Sequence, residues 1–249
     1  MRPFLFVSDL DYTLVGDDQA LEELNGELDK HRKQYGTKIV YATGRSPALF
    51  KQLAAEKSLL VPDALISSVG TEIYFGSNYE TPDPEWSIRL SNAWNRDLVE
   101  EIAARFVELV PQQASEQRPF KVSYLLKEET ATEVLPQVKH LLEKQNIKFN
   151  LIYSGSQDLD ILPFNANKGL AVKYLQEKWQ FTANETVVCG DSGNDIALFS
   201  VGEERGIIVA NARPELLQWY MANKTDYRYF AKSYYANGII EGLRYLNFI

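Results

Sequence analysis

The stretch "LFVSDLDYTLVG" (residues 5–16) begins like a buried strand and then departs from that pattern. After Leu5, Phe6 and Val7 come Asp9 and Asp11, one residue apart. In extended backbone, residues i and i+2 point to the same side, so the two carboxylates repel unless something cationic joins them. A second stretch, "VVCGDSGND" (187–195), has the same form, an apolar run closed by Asp191 and Asp195. Other short apolar runs end in small or acidic residues: "TKIVYATGRS" (37–46), "DALISSVGTEIYF" (63–75), "LDILP" (159–163) and "RGIIVANA" (205–212). Hydrophobicity that is continuous rather than alternating predicts strands covered on both faces, as in a parallel sheet. Helical patterns lie between them at 19–34, 46–57 and 167–179. Strand, polar loop and helix in repetition is the mark of an α/β fold. In such sheets ligands gather beyond the carboxyl ends of the strands, where Asp9, Asp11, Thr43 and Asp191 all fall.

The middle of the chain reads differently. "ETPDPEWS" (80–87) is a proline-rich joint. It precedes a helical stretch (92–109), a strand (120–126), a second helix (131–145) and a further strand (148–154). This predicts a small α+β unit at 82–158 inserted into a Rossmann-like core made of 1–81 and 159–249. Pro136 is expected to kink the second helix or to mark a later helix start.

Composition narrows the function classes. The chain has 249 residues, 45% hydrophobic and 24% charged, which fits a folded globular protein. A formal charge of −8 favours neither nucleic acid nor an anionic membrane as partner. No apolar run approaches the roughly 18 residues that span a bilayer. The first residues charge too early for a signal peptide, so a cytoplasmic protein is expected, and a monomer. Cys189 is the single cysteine, which excludes an intramolecular disulfide; it follows two valines and is expected in the core. His31 and His140 fall in polar helical patterns and are expected to be solvated. Neither a nucleophilic Cys–His pair nor a Zn site can be assembled. Dinucleotide and P-loop fingerprints are absent.

Hydrolysis of a phosphate monoester matches what remains. The phosphoryl dianion repels nucleophiles, so catalysis rests on positioning and charge neutralisation. Carboxylates hold a divalent cation, and an oxygen-only set suits Mg²⁺. Of Asp9 and Asp11, one can attack phosphorus while the other handles the proton of the leaving group. Asp191 and Asp195 complete a metal site, Thr43 can donate to a phosphoryl oxygen, and Lys168 adds a point charge. Lys168 begins a predicted helix, where the dipole disfavours a cation and an anionic partner is expected.

Asp-x-Asp-x-Thr at 9–13, Thr43 after an apolar strand, Lys168, and Gly190-Asp191-x-x-x-Asp195 resemble, in order, the four motifs of the haloacid dehalogenase superfamily. The resemblance implies Asp9 as nucleophile and Asp11 as general acid/base, its backbone carbonyl helping to hold Mg²⁺. Asp191 is implied as a further ligand, with Asp195 in the inner or outer shell. It also implies that the inserted unit is a C2-type cap. "SDLDYTLVGD", "YATGRS", "VGTEIY", "KVSY", "SGSQDLDILP", "NKG", "VCGDSGNDIALF" and "NARPELLQWY" are similar to the sucrose-phosphate phosphatases of cyanobacteria and plants, from residue 4 to about 220. Tyr12 departs from the Asn or Gly that many of those proteins carry.

The reaction so implied is hydrolysis of sucrose 6-phosphate to sucrose and phosphate, through an aspartyl-phosphate, with a sucrose-phosphate synthase as a possible partner. Sugar contacts are expected from Lys121, Tyr124, Ser154, Gln157 and Asp158 on the cap. On the core side they are expected from Thr43, Gly44, Arg45, Glu72 and Asn194, while Asp160 could serve the site or a turn. Trp219 is expected to pack. Competing readings are a phosphatase for mannosyl-phosphoglycerate or trehalose phosphate, a phosphomutase, and a non-catalytic sugar-phosphate-binding partner of a synthase.

Overall fold

The computed structural model describes residues 2–92 and 94–249. In chain order the first elements are β1 (Leu5–Ser8), α1 (Asp18–Tyr35), β2 (Lys38–Ala42), α2 (Pro47–Glu56), β3 (Ala64–Ser67), β4 (Glu72–Phe75) and α3 (Pro84–Ser91). Next come α4 (Arg96–Ala103), β5 (Val110–Pro111), β6 (Val122–Leu125), α5 (Glu128–Lys144), β7 (Phe149–Ser154) and β8 (Asp158–Pro163). The chain closes with α6 (Lys168–Trp179), β9 (Thr186–Gly190), α7 (Ile196–Ser200), β10 (Arg205–Ile208), α8 (Pro214–Ala222), β11 (Arg228–Phe230) and α9 (Tyr235–Tyr245).

Seven strands form one sheet in the order β11-β10-β9-β1-β2-β3-β4, parallel except for β4. The reason lies in β1, where Phe6 points into a core shared with α1, α2 and α9. Its neighbours Leu5 and Val7 enter the opposite core with α3, α6, α7 and α8. Both faces are therefore covered, and every position of the strand must be apolar. β1 lies between β2 and β9, so the chain leaves it in two directions, and the crevice at its carboxyl end opens there.

A second sheet, β5-β6-β8-β7, is antiparallel and carries helices on one face only. Val122, Tyr124, Leu159 and Ile161 pack against α4 and α5. Ser123, Asp158 and Asp160 alternate with them and face the first sheet's carboxyl ends.

Several expectations need correction. "LDILP", counted above with the core strands, is β8 of the second sheet; the alternation of aspartates with apolar residues in "DLDILP" marks it. Trp86 and Leu90 of α3 pack into the large core, and Trp86 Nε1 donates to the Gly70 carbonyl at 3.1 Å. The buried core of the second sheet draws on residues from Val99 to Ile161. The two connections of this smaller unit with the large core are pinned together, Asn165 Nδ2 donating to the Arg89 carbonyl at 2.6 Å.

The apolar run 63–75 is two antiparallel strands, turned at Ser68 and Val69, both with positive φ. Of the helix expected over 92–109, α4 occupies Arg96–Ala103, α3 lies ahead of it at Pro84–Ser91, and position 93 lies outside the described residues. α5 continues through Pro136, which sits on its exposed face, where the carbonyl of Thr132 loses its bond to water rather than to the core. His31 is buried rather than solvated. It shares the face of Leu24 and Leu28, pairs with Thr37 Oγ1 at 2.7 Å, and its pKa is lowered by burial.

Candidate active site

The site is built on the backbone where β1 ends. The Asp9 N–H donates to the Cys189 carbonyl at 3.0 Å, extending the β1–β9 ladder by one residue and fixing where the carboxylate stands. Lys168 arrives from the far side at the first turn of α6, whose N-cap Asn167 accepts the Leu170 N–H at 2.8 Å. Gly70 admits that helix start. It sits at φ +92°, and a Cβ there would lie 2.3 Å from the Asn167 carbonyl carbon. Lys168 Nζ then donates to Asp9 Oδ1 and to Asp195 Oδ1, each at 2.7 Å. The other Asp195 oxygen accepts the N–H groups of Asp191 and Ser192, both at 3.0 Å. Thr13 Oγ1 donates to Asp191 Oδ1 at 3.0 Å.

All four charged groups are buried, and three carboxylates share one ammonium. Burial pushes the Asp9 carboxyl up, with Lys168 opposing and Asp195 adding to the rise. Asp191 is pushed up by burial and by the charges of Asp9 and Asp195. Burial pulls Lys168 down, but Asp195 and Asp9 outweigh it and hold the ammonium well above its usual range. The cluster thus carries an excess of buried negative charge that a cation would relieve. Asp9, Asp191 and Asp195 each offer an oxygen, all within 4.8 Å of one another. Beside them Asn194 has a buried Oδ1 with no partner in the protein. An all-oxygen set of this charge fits Mg²⁺.

Asp11 stands outside this cluster. Its carboxylate turns to the cavity edge, where Arg45 Nε and Nη2 donate to its two oxygens, both at 2.7 Å. The Asp11 side chain is thus apart from the three clustered carboxylates, and its expected part in the metal site is that of its backbone carbonyl. Thr43 is buried, and its Oγ1 accepts the Arg45 N–H at 3.1 Å.

Above the cluster is a cavity of about 400 Å³ between the strand ends and the second sheet. The expected residues Gly44, Arg45, Asn194, Lys121, Ser154, Gln157 and Asp158 all line it. Glu72 does not. It is buried behind the site, takes Arg118 Nε at 3.0 Å and accepts from the Tyr74 hydroxyl at 3.1 Å, so that it fastens the smaller unit to the core. Tyr124 does not either, because the two-residue period places it with Val122 on the helix-facing side of β6. That period, applied to "KVSYL", allows Lys121 and Ser123 together and excludes Tyr124. Gln112, Gln113, Glu116 and Arg213 line the cavity without having been singled out. The first three lie in "PQQASEQ", a polar run with no motif.

Two contacts tie the smaller unit to the loop after β2. Glu116 accepts the Ser46 N–H at the start of α2, at 3.3 Å to each oxygen, and Lys121 Nζ donates to the Gly44 carbonyl at 3.1 Å. Lys121 also pairs with Glu116 at 3.2 Å.

The sequence model of the family described as sucrose-6F-phosphate phosphohydrolase matches residues 2–247. The chain is 40% identical to "Sucrose-phosphatase 1" of Nicotiana tabacum over 252 residues, covering 98% of this chain and 59% of the tobacco protein. It thus spans somewhat over half the length of the plant relatives it matches. It is 30% identical to the "Mannosylfructose-phosphate phosphatase" of Agrobacterium fabrum, covering 98% of each. Among solved structures, the sucrose-phosphatase of Synechocystis sp. PCC6803, in complex with sucrose and phosphate, aligns over 99% of both chains with 41% identity and a TM-score of 0.92. A haloacid dehalogenase-like hydrolase from Bacillus subtilis shares the fold at 20% identity, with a TM-score of 0.69 and cover of 100% of this chain and 93% of its own. The chain belongs to the sucrose-6F-phosphate phosphohydrolase family, within the haloacid dehalogenase fold.

Proposed function

We propose that this member of the family hydrolyses sucrose 6-phosphate to sucrose and inorganic phosphate. The observation that carries the reading is the buried Asp9–Lys168–Asp195 array beside Asp191, lying under a polar cavity large enough for a sugar. Asp9 attacks phosphorus, forming an aspartyl-phosphate as the bond to the sugar oxygen breaks. Asp11 delivers a proton to that oxygen and later takes one from the water that cleaves the acyl phosphate. Both Asp11 oxygens are taken by Arg45, so this pair opens before Asp11 reaches the leaving oxygen. Lys168 orients Asp9, and Thr43 and Asn194 receive phosphoryl oxygens. Asp9, Asp191 and Asp195, with the Asp11 backbone carbonyl, would hold Mg²⁺, which when bound neutralises phosphoryl charge.

In this reading residues from about 92 to 163 are a cap that holds the sugar through Lys121, Ser154, Gln157 and Asp158 and keeps bulk water out. The enzyme works in the cytoplasm as a monomer, taking substrate made by a sucrose-phosphate synthase. A single buried cysteine suits a reducing compartment. No helix among the described residues is long and apolar enough to cross a membrane.

Likeness to a mannosylfructose-phosphate phosphatase keeps a second disaccharide phosphate in view. The test is phosphate release, with Mg²⁺ or with EDTA, from sucrose 6-phosphate, mannosylfructose phosphate, trehalose 6-phosphate, mannosyl-phosphoglycerate, and fructose and glucose 6-phosphates. Preference for sucrose 6-phosphate, lost in EDTA, is expected. Preference for another member would overturn the substrate and keep the chemistry, and silence across the panel would favour a mutase or a binding partner.

A further inference from the structure

Tyr12 is the residue between Asp11 and Thr13, and its backbone sits at φ +61°. That region suits the Gly or Asn expected from the resemblance and penalises a bulky side chain. The conformation is held in place: Asn211 Nδ2 donates to the Tyr12 carbonyl at 2.6 Å, while Asn211 Oδ1 accepts the Tyr235 N–H at 3.1 Å. A tyrosine placed where the backbone is strained points to work done by its ring. The ring is more than half exposed and forms part of the cavity wall.

Arg213 stands beside it, its guanidinium carbon 5.4 Å from the ring centroid. The cavity has three cationic side chains on its lining, Arg45, Lys121 and Arg213. Arg45 is committed to Asp11, and Lys121 to Glu116. Arg213 forms no ion pair among the described residues, and its backbone N–H is fixed to the Asp191 carbonyl at 2.7 Å. An uncommitted cation over an aromatic face, at the entrance to an acidic protein's phosphate site, offsets the field that repels an incoming dianion.

We propose that Tyr12 and Arg213 form a receiving lip for sugar phosphates: Arg213 draws in the dianionic head, and the Tyr12 ring bears on the apolar face of the sugar. This rests on the sugar-phosphatase reading, which the experiment tests separately. The lip acts on capture and selection, and the chemical step belongs to Asp9 and Asp11.

The experiment measures kcat and KM, with inorganic phosphate and free sucrose as competitive inhibitors, for wild type, R213Q and Y12N. R213Q is expected to raise KM and the inhibition constant of phosphate about fivefold, with kcat within about twofold and sucrose inhibition unmoved. Y12N is expected to raise KM and the inhibition constant of sucrose about fivefold, leave phosphate inhibition unmoved, and increase Tm because the strain is relieved. Unchanged KM in both variants, or a loss confined to kcat, overturns the lip. If the wild type prefers another sugar phosphate, the substrate reading falls, and the same variants are measured with that substrate and its parent sugar. If no substrate turns over, calorimetric titration with inorganic phosphate in Mg²⁺ decides, with equal affinity in R213Q and wild type overturning the proposal.

Discussion

The two ends of the cavity are built by different means. At the end proposed for the phosphate, Asp9, Asp191, Asp195 and Lys168 are buried, and each is fixed by a strand end, a tight turn or a helix start. At the end proposed for the sugar, residues of β6–β8 and the loop before β6 meet the core through side chains that reach across a seam, Glu116 to Ser46 and Lys121 to Gly44. One end is set by backbone and cannot yield without unfolding the core. The other is set by a few removable contacts, so specificity can vary without disturbing the chemistry.

The largest effect should come from the phosphate end. D9N is expected to lower phosphate release by about 10³-fold or more while sucrose inhibition persists, since a lost nucleophile is not replaced. Activity near wild type would remove Asp9 from the mechanism. K168M leaves three buried carboxylates without their cation and should cost about 3–5 kcal/mol of stability in urea titrations. An unchanged midpoint would mean that the array is not as dry as its burial implies. Mg²⁺ at about a hundred times its Kd should stabilise the wild type by roughly 3 kcal/mol in calorimetry, and D191N should lose most of that gain. A full gain in D191N would move the metal elsewhere.

The sugar end should respond more gently. E116Q keeps the fold but weakens the contact with the start of α2, raising KM about tenfold and speeding amide exchange over 110–121, with little change in kcat. Equal losses in kcat and kcat/KM would erase the distinction between the two ends.

The smallest effect lies outside both. Glu241 is partly desolvated, which alone would raise its pKa, yet the Tyr229 hydroxyl and the Lys232 and Ser233 N–H groups pull it down to about 2. A depressed carboxyl contributes stability above its ordinary 4.5, and that contribution is lost as pH falls toward 2. E241Q should therefore show a shallower acid-side loss of Tm than wild type. An identical slope would show that Glu241 contributes nothing to the acid response.

The contrast between the ends also explains what could be read from the amino acids. Asp9, Asp11, Thr43, Lys168, Asp191 and Asp195 lie in short segments whose strand and turn context is local. The three-layer core was legible for the same reason, since strands covered on both faces must be apolar at every position. The sugar end depends on contacts between distant segments, and there the reading erred. Glu72 was assigned to substrate, but it is satisfied by Arg118, 46 residues away. Tyr124 was ruled out by a period already visible in its strand. β8 was taken for a core strand because its apolar half was read without the two aspartates that alternate with it. Gln112 and Glu116 carry no local signature, and only the approach of β5 and β6 to the loop after β2 brings them to the cavity.

The bond from Asn165 to the Arg89 carbonyl holds the outgoing and returning chain side by side. The two connecting stretches of chain thus form one hinge post, and the contacts of Glu116, Arg118 and Lys121 with the core act as the latch. Residues from about 92 to 163 could be exchanged for another unit whose ends emerge close together, provided that the new unit also pairs the buried Glu72 that Arg118 now satisfies. The returning chain leads within three residues of Asn165 to Lys168, so the fixed side of the hinge is anchored to the ammonium that holds Asp9 in place.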